Sequence, residues 1–192
     1  MRMVDQTMTI VRLRPRYSEE ILRAMYATPH DHRLWGRGHH ERVLKMIELG
    51  KLKEPYDSIA DLSCGNGYVI DNLSSQIKLE GDLAPGYHHT GMIEQTIHEI
   101  SPVELFISGE TLEHLDDPTA VLTQIRACCS MLLLSTPIEN FEDTNAEHYW
   151  GWDQEGVESL MFGAGFNTRL AFARVDTRVY RDTYCYGVWM ME

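Results

Sequence analysis

The stretch from Tyr56 to Asp71, Tyr-Asp-Ser-Ile-Ala-Asp-Leu-Ser-Cys-Gly-Asn-Gly-Tyr-Val-Ile-Asp, does most to limit what this chain can fold into. It reads as a short buried strand, Ser58 to Leu62, then a glycine turn, then a helix opening near Tyr68. Such a unit gathers backbone N–H groups and the positive end of a helix at one point, which suits a polar or anionic ligand. Gly65 and Gly67 leave the turn open to close approach. Two nucleotide-binding readings fail here. A dinucleotide fingerprint requires a third glycine where Ile70 stands, and a phosphate-binding P-loop requires a Gly-Lys-Ser/Thr ending that is absent.

The remaining pattern alternates strands and helices. Met8 and Ile10 in the Thr7–Arg14 segment predict a short edge strand stopped by Pro15. Ser18 predicts an N-cap, with Glu19 and Glu20 in the first turn. His39 to Leu49 predicts an amphipathic helix ended by Gly50. Tyr68 to Gln76 predicts a helix, and Ile77 to Leu83 a second core strand. Only Ala84-Pro-Gly-Tyr-His-His then precedes Thr90-Gly-Met-Ile, whereas a parallel crossover takes roughly a dozen residues or more. The next strand is therefore lost, paired antiparallel, or replaced by a loop. Val103–Ser108 and Met131–Leu134 predict buried strands, and Asp117-Pro118 and Asp153 open helices. Thr168–Val175 and Tyr184–Met190 predict a closing antiparallel pair.

At 192 residues the chain reads as one domain. With 17 Lys and Arg against 29 Asp and Glu, its net charge of −12 argues against a broad nucleic-acid surface. Cys64, Cys128, Cys129 and Cys185 form no C-x-x-C pair; adjacent Cys128 and Cys129 fall in an apolar run and read as buried thiols, and a reducing cytoplasm fits. Neither a signal sequence nor a membrane span is read. His30, Asp31, His32, His39 and His40 lie close in sequence, but their spacing matches no familiar zinc pattern, so no metal is expected.

The Asp61-x-Ser63-Cys64-Gly65-x-Gly67 loop resembles the first motif of class I S-adenosylmethionine-dependent methyltransferases, with Ser63 in place of the first glycine. A second resemblance lies in Glu110-Thr-Leu-Glu113-His114, a Glu-x-Leu-Glu-His signature of many such enzymes at the end of a later strand. The resemblance implies a Rossmann-like α/β fold: a mostly parallel twisted sheet, an antiparallel closing strand, and a shortened or missing helix between the second and third strands. By the same resemblance, S-adenosylmethionine is the cofactor, held by Asp61, Ser63, Cys64, Gly65, Gly67, Asp82, Leu83, Met92, Ile93 and Glu110. Asp82 matches the acid that accepts the ribose hydroxyls, chemically apt because a carboxylate accepts both protons. Met92 and Ile93 match the adenine wall, with Glu94 standing for the usual acid.

Residues 1–55 are expected to form a helical lid or arm over a core of residues 56–192. Trp35, Arg37, His40, Tyr149 and Trp150 are candidate acceptor contacts, and His148, His114 and His32 candidate bases. The expected reaction is methyl transfer to an oxygen, second to it a nitrogen, of a small molecule. The Ser135-Thr-Pro-Ile segment lacks the Asn-Pro-Pro-aromatic run of amino-methyltransferases. Two alternatives stay open: a binding protein that keeps the fold without turnover, and a metal-dependent hydrolase using the N-terminal histidines. Pairing of two copies is open as well.

Overall fold

A computed structural model describes residues 9–31, 37–179 and 182–192. The expectations placed on His32 and Trp35, and on the Arg37 side chain, fall outside the described residues. In chain order the elements are β1 (Ile10–Arg12), α1 (Glu19–Met25), α2 (Arg37–Gly50), β2 (Tyr56–Asp61), α3 (Tyr68–Asp71), β3 (Ser75–Asp82), β4 (His89–Thr90), α4 (Ile93–Thr96), β5 (Val103–Gly109), α5 (Pro118–Cys128), β6 (Cys129–Ile138), β7 (Trp150–Trp152), α6 (Gln154–Ala164), β8 (Arg169–Val179) and β9 (Asp182–Met191).

Seven strands form one sheet in the order β4-β3-β2-β5-β6-β9-β8. The pairs from β4 to β6 are parallel, and β9 and β8 close the sheet antiparallel. The apolar runs of β5 and β6 are buried on both faces, as a central parallel strand requires. Leu105 and Ile107 of β5, and Met131 and Leu133 of β6, pack with Val43, Met46 and Ile47 of α2 and Ile70 of α3. Their alternates Phe106, Leu132 and Leu134 pack with Val121, Leu122 and Ile125 of α5 and Val157 and Met161 of α6. The expected Rossmann-like α/β architecture is thus present, with helices on both sheet faces. No described helix is long and apolar enough to cross a membrane.

The caps read from the sequence are made. Ser18 accepts the Ile21 N–H, Asp117 the Ala120 N–H, and Asp153 the Gly156 N–H. Gly165 closes α6 at φ 102. β1 pairs antiparallel with β7 as a separate two-stranded ribbon.

Four local expectations are corrected. The helix after the glycine turn is a single turn: the Asn72 side chain donates to the Tyr68 carbonyl at 2.7 Å, and the chain becomes strand at Ser75, which pairs beside Tyr56. Gly50 is the last residue of α2 but is right-handed helical at φ −58, so it makes no left-handed cap and the chain runs on in a tighter turn over Lys51–Lys53; a Cβ there would lie 2.9 Å from Leu73, so its value is close packing. Ser135 to Ile138 belongs to β6, paired with Val188 to Cys185 of β9. Finally, β4 is neither lost nor antiparallel: it pairs parallel with β3, Gly81 beside His89 and Asp82 beside Thr90. A crossover helix is needed when a strand must return to the far end of its neighbour. β4 pairs only with the carboxyl end of β3, so a tight loop suffices.

Candidate active site

The strand order reverses at β2: the chain goes outward to β3 and β4, then returns to β5 on the other side. The loops after β2 and β5 therefore part, leaving a crevice at their carboxyl ends, the usual ligand position in such sheets. A cavity of about 390 Å³ occupies it, within the range of small-molecule sites. Ser63 and Gly65 line it from the glycine turn, Asp82 and Leu83 from the end of β3, and Met92, Ile93 and Glu94 from the start of α4. Glu110, Thr111 and His114 line it after β5, and His148 and Asn145 after β6.

Backbone geometry builds the first wall. Gly65 at φ 56 and Gly67 at φ 74 adopt the left-handed conformation that favours glycine, which lets the turn reverse. Asp82 joins that turn to β3: one carboxylate oxygen accepts the Gly65 N–H at 2.8 Å, the other the Ala84 N–H at 2.8 Å. Burial raises the Asp82 pKa against these hydrogen bonds, which lower it. Ser63 stands where glycine was expected, and its hydroxyl lies 2.7 Å from that of Thr111, tying the turn to the loop after β5. Glu94 is held by Arg16 at 2.7 Å through one oxygen, while its other oxygen is buried without a hydrogen-bond partner among the described residues.

The opposite wall is a cluster of acids and imidazoles. Glu110 sits at φ 54, a strained conformation for a residue with a Cβ. Its side chain is 8% exposed and faces the guanidinium of the buried Arg42 at 3.8 Å. Arg42 in turn donates to Ser135 at 2.7 Å. Glu113 is 1% exposed and accepts the Thr136 hydroxyl at 3.0 Å. Burial, reinforced by Glu110, pushes its pKa up to about 8. His114 holds the Glu147 carbonyl through Nδ1 at 2.9 Å, and its pKa is lowered, first by burial and then by His148. His148 contacts the Asp143 carboxylate through Nδ1 at 2.6 Å. Burial alone would lower the His148 pKa, but the Asp143 hydrogen bond and the field of Glu113, Asp143 and Glu110 raise it. The Asp143 pKa is correspondingly lowered: burial opposes this, and the His148 hydrogen bond outweighs it.

A third side comes from the N-terminal segment. Arg16, Leu22, Tyr26 and His30 face the cavity, and the Tyr26 hydroxyl donates to Glu147. The Arg14 guanidinium donates to the Asp143 and Asn145 carbonyls and so fixes the loop that carries Asp143. His39, from α2, completes this side; burial and the charge of Arg42 push its pKa down to about 4.

Most sequence-predicted residues gather here, and some do not. Asp61 lines a small hollow behind the turn with Arg42 and Tyr68, and Cys64 lies buried beside it. Gly67 shapes the turn without lining the main cavity. Tyr149 and Trp150 are turned away from it. The Tyr149 backbone N–H donates to the Glu113 carbonyl, its fully buried ring takes the Tyr17 N–H on its hydroxyl, and Trp150 pairs in the ribbon and donates its indole N–H to Leu115. His40 also lies outside the cavity lining. Among the residues not foreseen here are Arg16, Tyr26, Arg42, Asp143 and Tyr186. All but Asp143 come from segments remote in sequence from the motifs, where no local spacing signals convergence. Asp143 carried a signal: it lies five residues before His148 in a polar run.

No family model matches the chain, and no curated protein is significantly similar to it. Solved structures do match. The N-methyltransferase NodS of Bradyrhizobium japonicum, in complex with S-adenosyl-L-homocysteine, is 11% identical over 81% of this chain and 88% of that one, with a TM-score of 0.62. A putative methyltransferase of Bacillus halodurans is 12% identical over 79% and 96%, with a TM-score of 0.60. The [4+2]-cyclase SpnF is 12% identical over 86% and 84%, with a TM-score of 0.62. At such identities the likeness is one of fold. The chain has the fold of the class I methyltransferases.

Proposed function

We propose that this chain is an S-adenosylmethionine-dependent methyltransferase acting on an oxygen of a small molecule. The observation that carries the reading is the cavity at the sheet's switch point, with the glycine turn and Asp82 on one wall and a polar cluster on the other. Its chemistry fits the group. Asp82, Glu94 and Glu110 line it with acid, matching a ligand that carries ammonium and sulfonium charge. The buried, unpartnered oxygen of Glu94 offers an acceptor to an adenine amine beside the apolar Met92 and Ile93. Asp82, on the cavity wall at the end of β3, is the acceptor this reading assigns to the ribose hydroxyls. The solved structure of NodS with S-adenosyl-L-homocysteine adds the support of a like fold.

Bound in this cavity, S-adenosylmethionine would supply an electrophilic methyl group to an acceptor oxygen, and the acceptor proton would pass to water. The chain's own share is alignment and exclusion of water. Arg16, Leu22, Tyr26 and His30 of the N-terminal segment line one side of the cavity, and the acceptor would sit against the Glu110–His148 wall. An oxygen acceptor is favoured because the carboxyl end of β6 carries Ser135-Thr136-Pro137 in place of an amine-binding Asn-Pro-Pro run.

Calorimetry with S-adenosylmethionine and S-adenosylhomocysteine tests this, beside a Gly65→Arg control that fills the turn. Micromolar binding abolished by the substitution is the expected result. Absence of binding overturns the reading. Binding without turnover on any hydroxylated acceptor moves the non-catalytic alternative ahead, and the cyclase SpnF shows that a like fold does not fix the reaction.

A further inference from the structure

We propose that Glu113, His114 and His148 form a divalent-cation site in the cavity floor, and that it takes a hydroxyl oxygen of the acceptor as a further ligand. One ligand atom from each of the three lies within 4.8 Å of the others. Ions of this kind hold nitrogen and oxygen ligands at about 2.0–2.2 Å, so ligand pairs span up to about 4.4 Å. Only opposed ligands reach that span and adjacent ones stand about 3 Å apart, so closing around an ion takes side-chain movements of up to about 1–2 Å.

The surroundings are those of a prepared site. In both histidines the outer nitrogen is already engaged: His114 Nδ1 at the Glu147 carbonyl and His148 Nδ1 at the Asp143 carboxylate. These partners fix the tautomer and turn each Nε2 lone pair inward, the arrangement that orients metal-bound imidazoles. The rings stand edge to face with centroids 4.9 Å apart. Glu113 repeats the device. Thr136 holds one oxygen at 3.0 Å, and the other is buried with no hydrogen-bond partner among the described residues, 3.8 Å from His114 Nε2. A carboxylate oxygen buried without a partner is costly, and an ion would supply one. Two groups bear on entry. The Asn145 amide lies 3.0 Å from His148 Nε2 and is what an ion would displace, and Glu110 is engaged by Arg42.

Two imidazoles and one carboxylate suit Mn²⁺, Fe²⁺, Co²⁺ or Zn²⁺ better than Mg²⁺ or Ca²⁺. The three ligands leave coordination positions toward the cavity, where His114 and His148 line the wall. A hydroxyl bound there loses its proton to water more readily, and this makes a separate general base unnecessary. The acceptor class is then an alcohol, phenol or sugar hydroxyl. This last step rests on the methyltransferase reading; the ion site does not.

The test uses full-length, tag-free protein stripped with a chelator and titrated with Mn²⁺ and Co²⁺ in the absence of any acceptor. One ion per chain is expected. His148→Gln and Glu113→Gln should each weaken binding by about 100-fold or more, since even outer-sphere changes cost roughly 10- to 100-fold. In the unaltered protein, Mn²⁺ should broaden the imidazole resonances of His114 and His148 before those of His30, His39 and His40, a readout that no folding defect affects. Absence of saturable binding overturns the inference, as does binding undiminished in both variants or broadening confined to the N-terminal histidines. S-adenosylhomocysteine titrations run in parallel separate the two claims: ion binding without cofactor binding sinks only the methyltransferase reading, and the reverse sinks only the ion site.

Discussion

Asp82 shows how one carboxylate serves two ends. Its oxygens hold the Gly65 and Ala84 N–H groups, so it shapes the turn, and it also lines the cavity. Replacing it tests both roles. Asp82→Ala should weaken S-adenosylhomocysteine binding by about 10- to 100-fold, the worth of hydrogen bonds to a charged group. The loss should vanish for a 2′,3′-dideoxy analogue if the ribose contact is at stake. Equal losses for both ligands would confine Asp82 to holding the turn. Asp61 carries a pH signature instead. Its carboxyl is fully buried and accepts the Ser63 N–H at 3.1 Å. Burial pushes its pKa up to about 8. An acid with a raised folded pKa binds its proton more tightly when folded, so its contribution is fully present below the unfolded pKa and is lost as pH rises toward 8. The denaturant midpoint of the ligand-free protein should therefore fall between about pH 5 and about pH 8, and Asp61→Asn should make that fall shallower. An unchanged slope would mean that the other acids raised by burial, Asp82, Glu110 and Glu113 among them, carry it.

At the scale of elements, β4 is the clearest departure from what the sequence suggests, and Gly81 permits it. A Cβ on Gly81 would lie 2.7 Å from the His89 carbonyl oxygen. Gly81→Ala should cost about 1–3 kcal/mol, as overpacking does, with faster amide exchange at residues 89–91 in particular. Unaltered exchange there would show the pairing to be incidental. The contrast with β5 explains what sequence could reveal. Val103-Glu-Leu-Phe-Ile-Ser is an apolar run that only a buried strand accommodates, and the Asp117-Pro118 and Asp153 caps are written locally. The helix after the glycine turn was misread because Val69, Ile70 and Leu73 satisfy one turn as well as three. The turn, Asp82 and the Glu110–His114 run were legible for the same local reason. Arg42 beneath Glu110 was not, because that meeting is set by how α2 packs over the sheet.

At the scale of the whole molecule, the N-terminal segment is bound to the core by polar contacts at the mouth of the cavity. β1 pairs with β7, Arg14 holds the loop that carries Asp143, Arg16 bridges to Glu94, and Tyr26 donates to Glu147. Of the α1 residues, Leu22 alone is buried, while Ile21 and Met25 remain exposed. A seven-residue helix with one buried side chain is marginal by itself and depends on those anchors. α1 should therefore open at far lower free energy than the sheet, and a ligand beneath it should close it. Exchange of the α1 amides should be fast in the free protein and slow severalfold on addition of S-adenosylhomocysteine, while β5 and β6 stay protected throughout. Arg16→Ala should weaken the ligand severalfold, since its partly buried ion pair with Glu94 is lost, and leave the melting temperature within a few degrees. If α1 exchanges alike with and without ligand, the segment is a fixed wall and not a cover. The cavity would then have to fill past it, along the side lined by Tyr184 and His39.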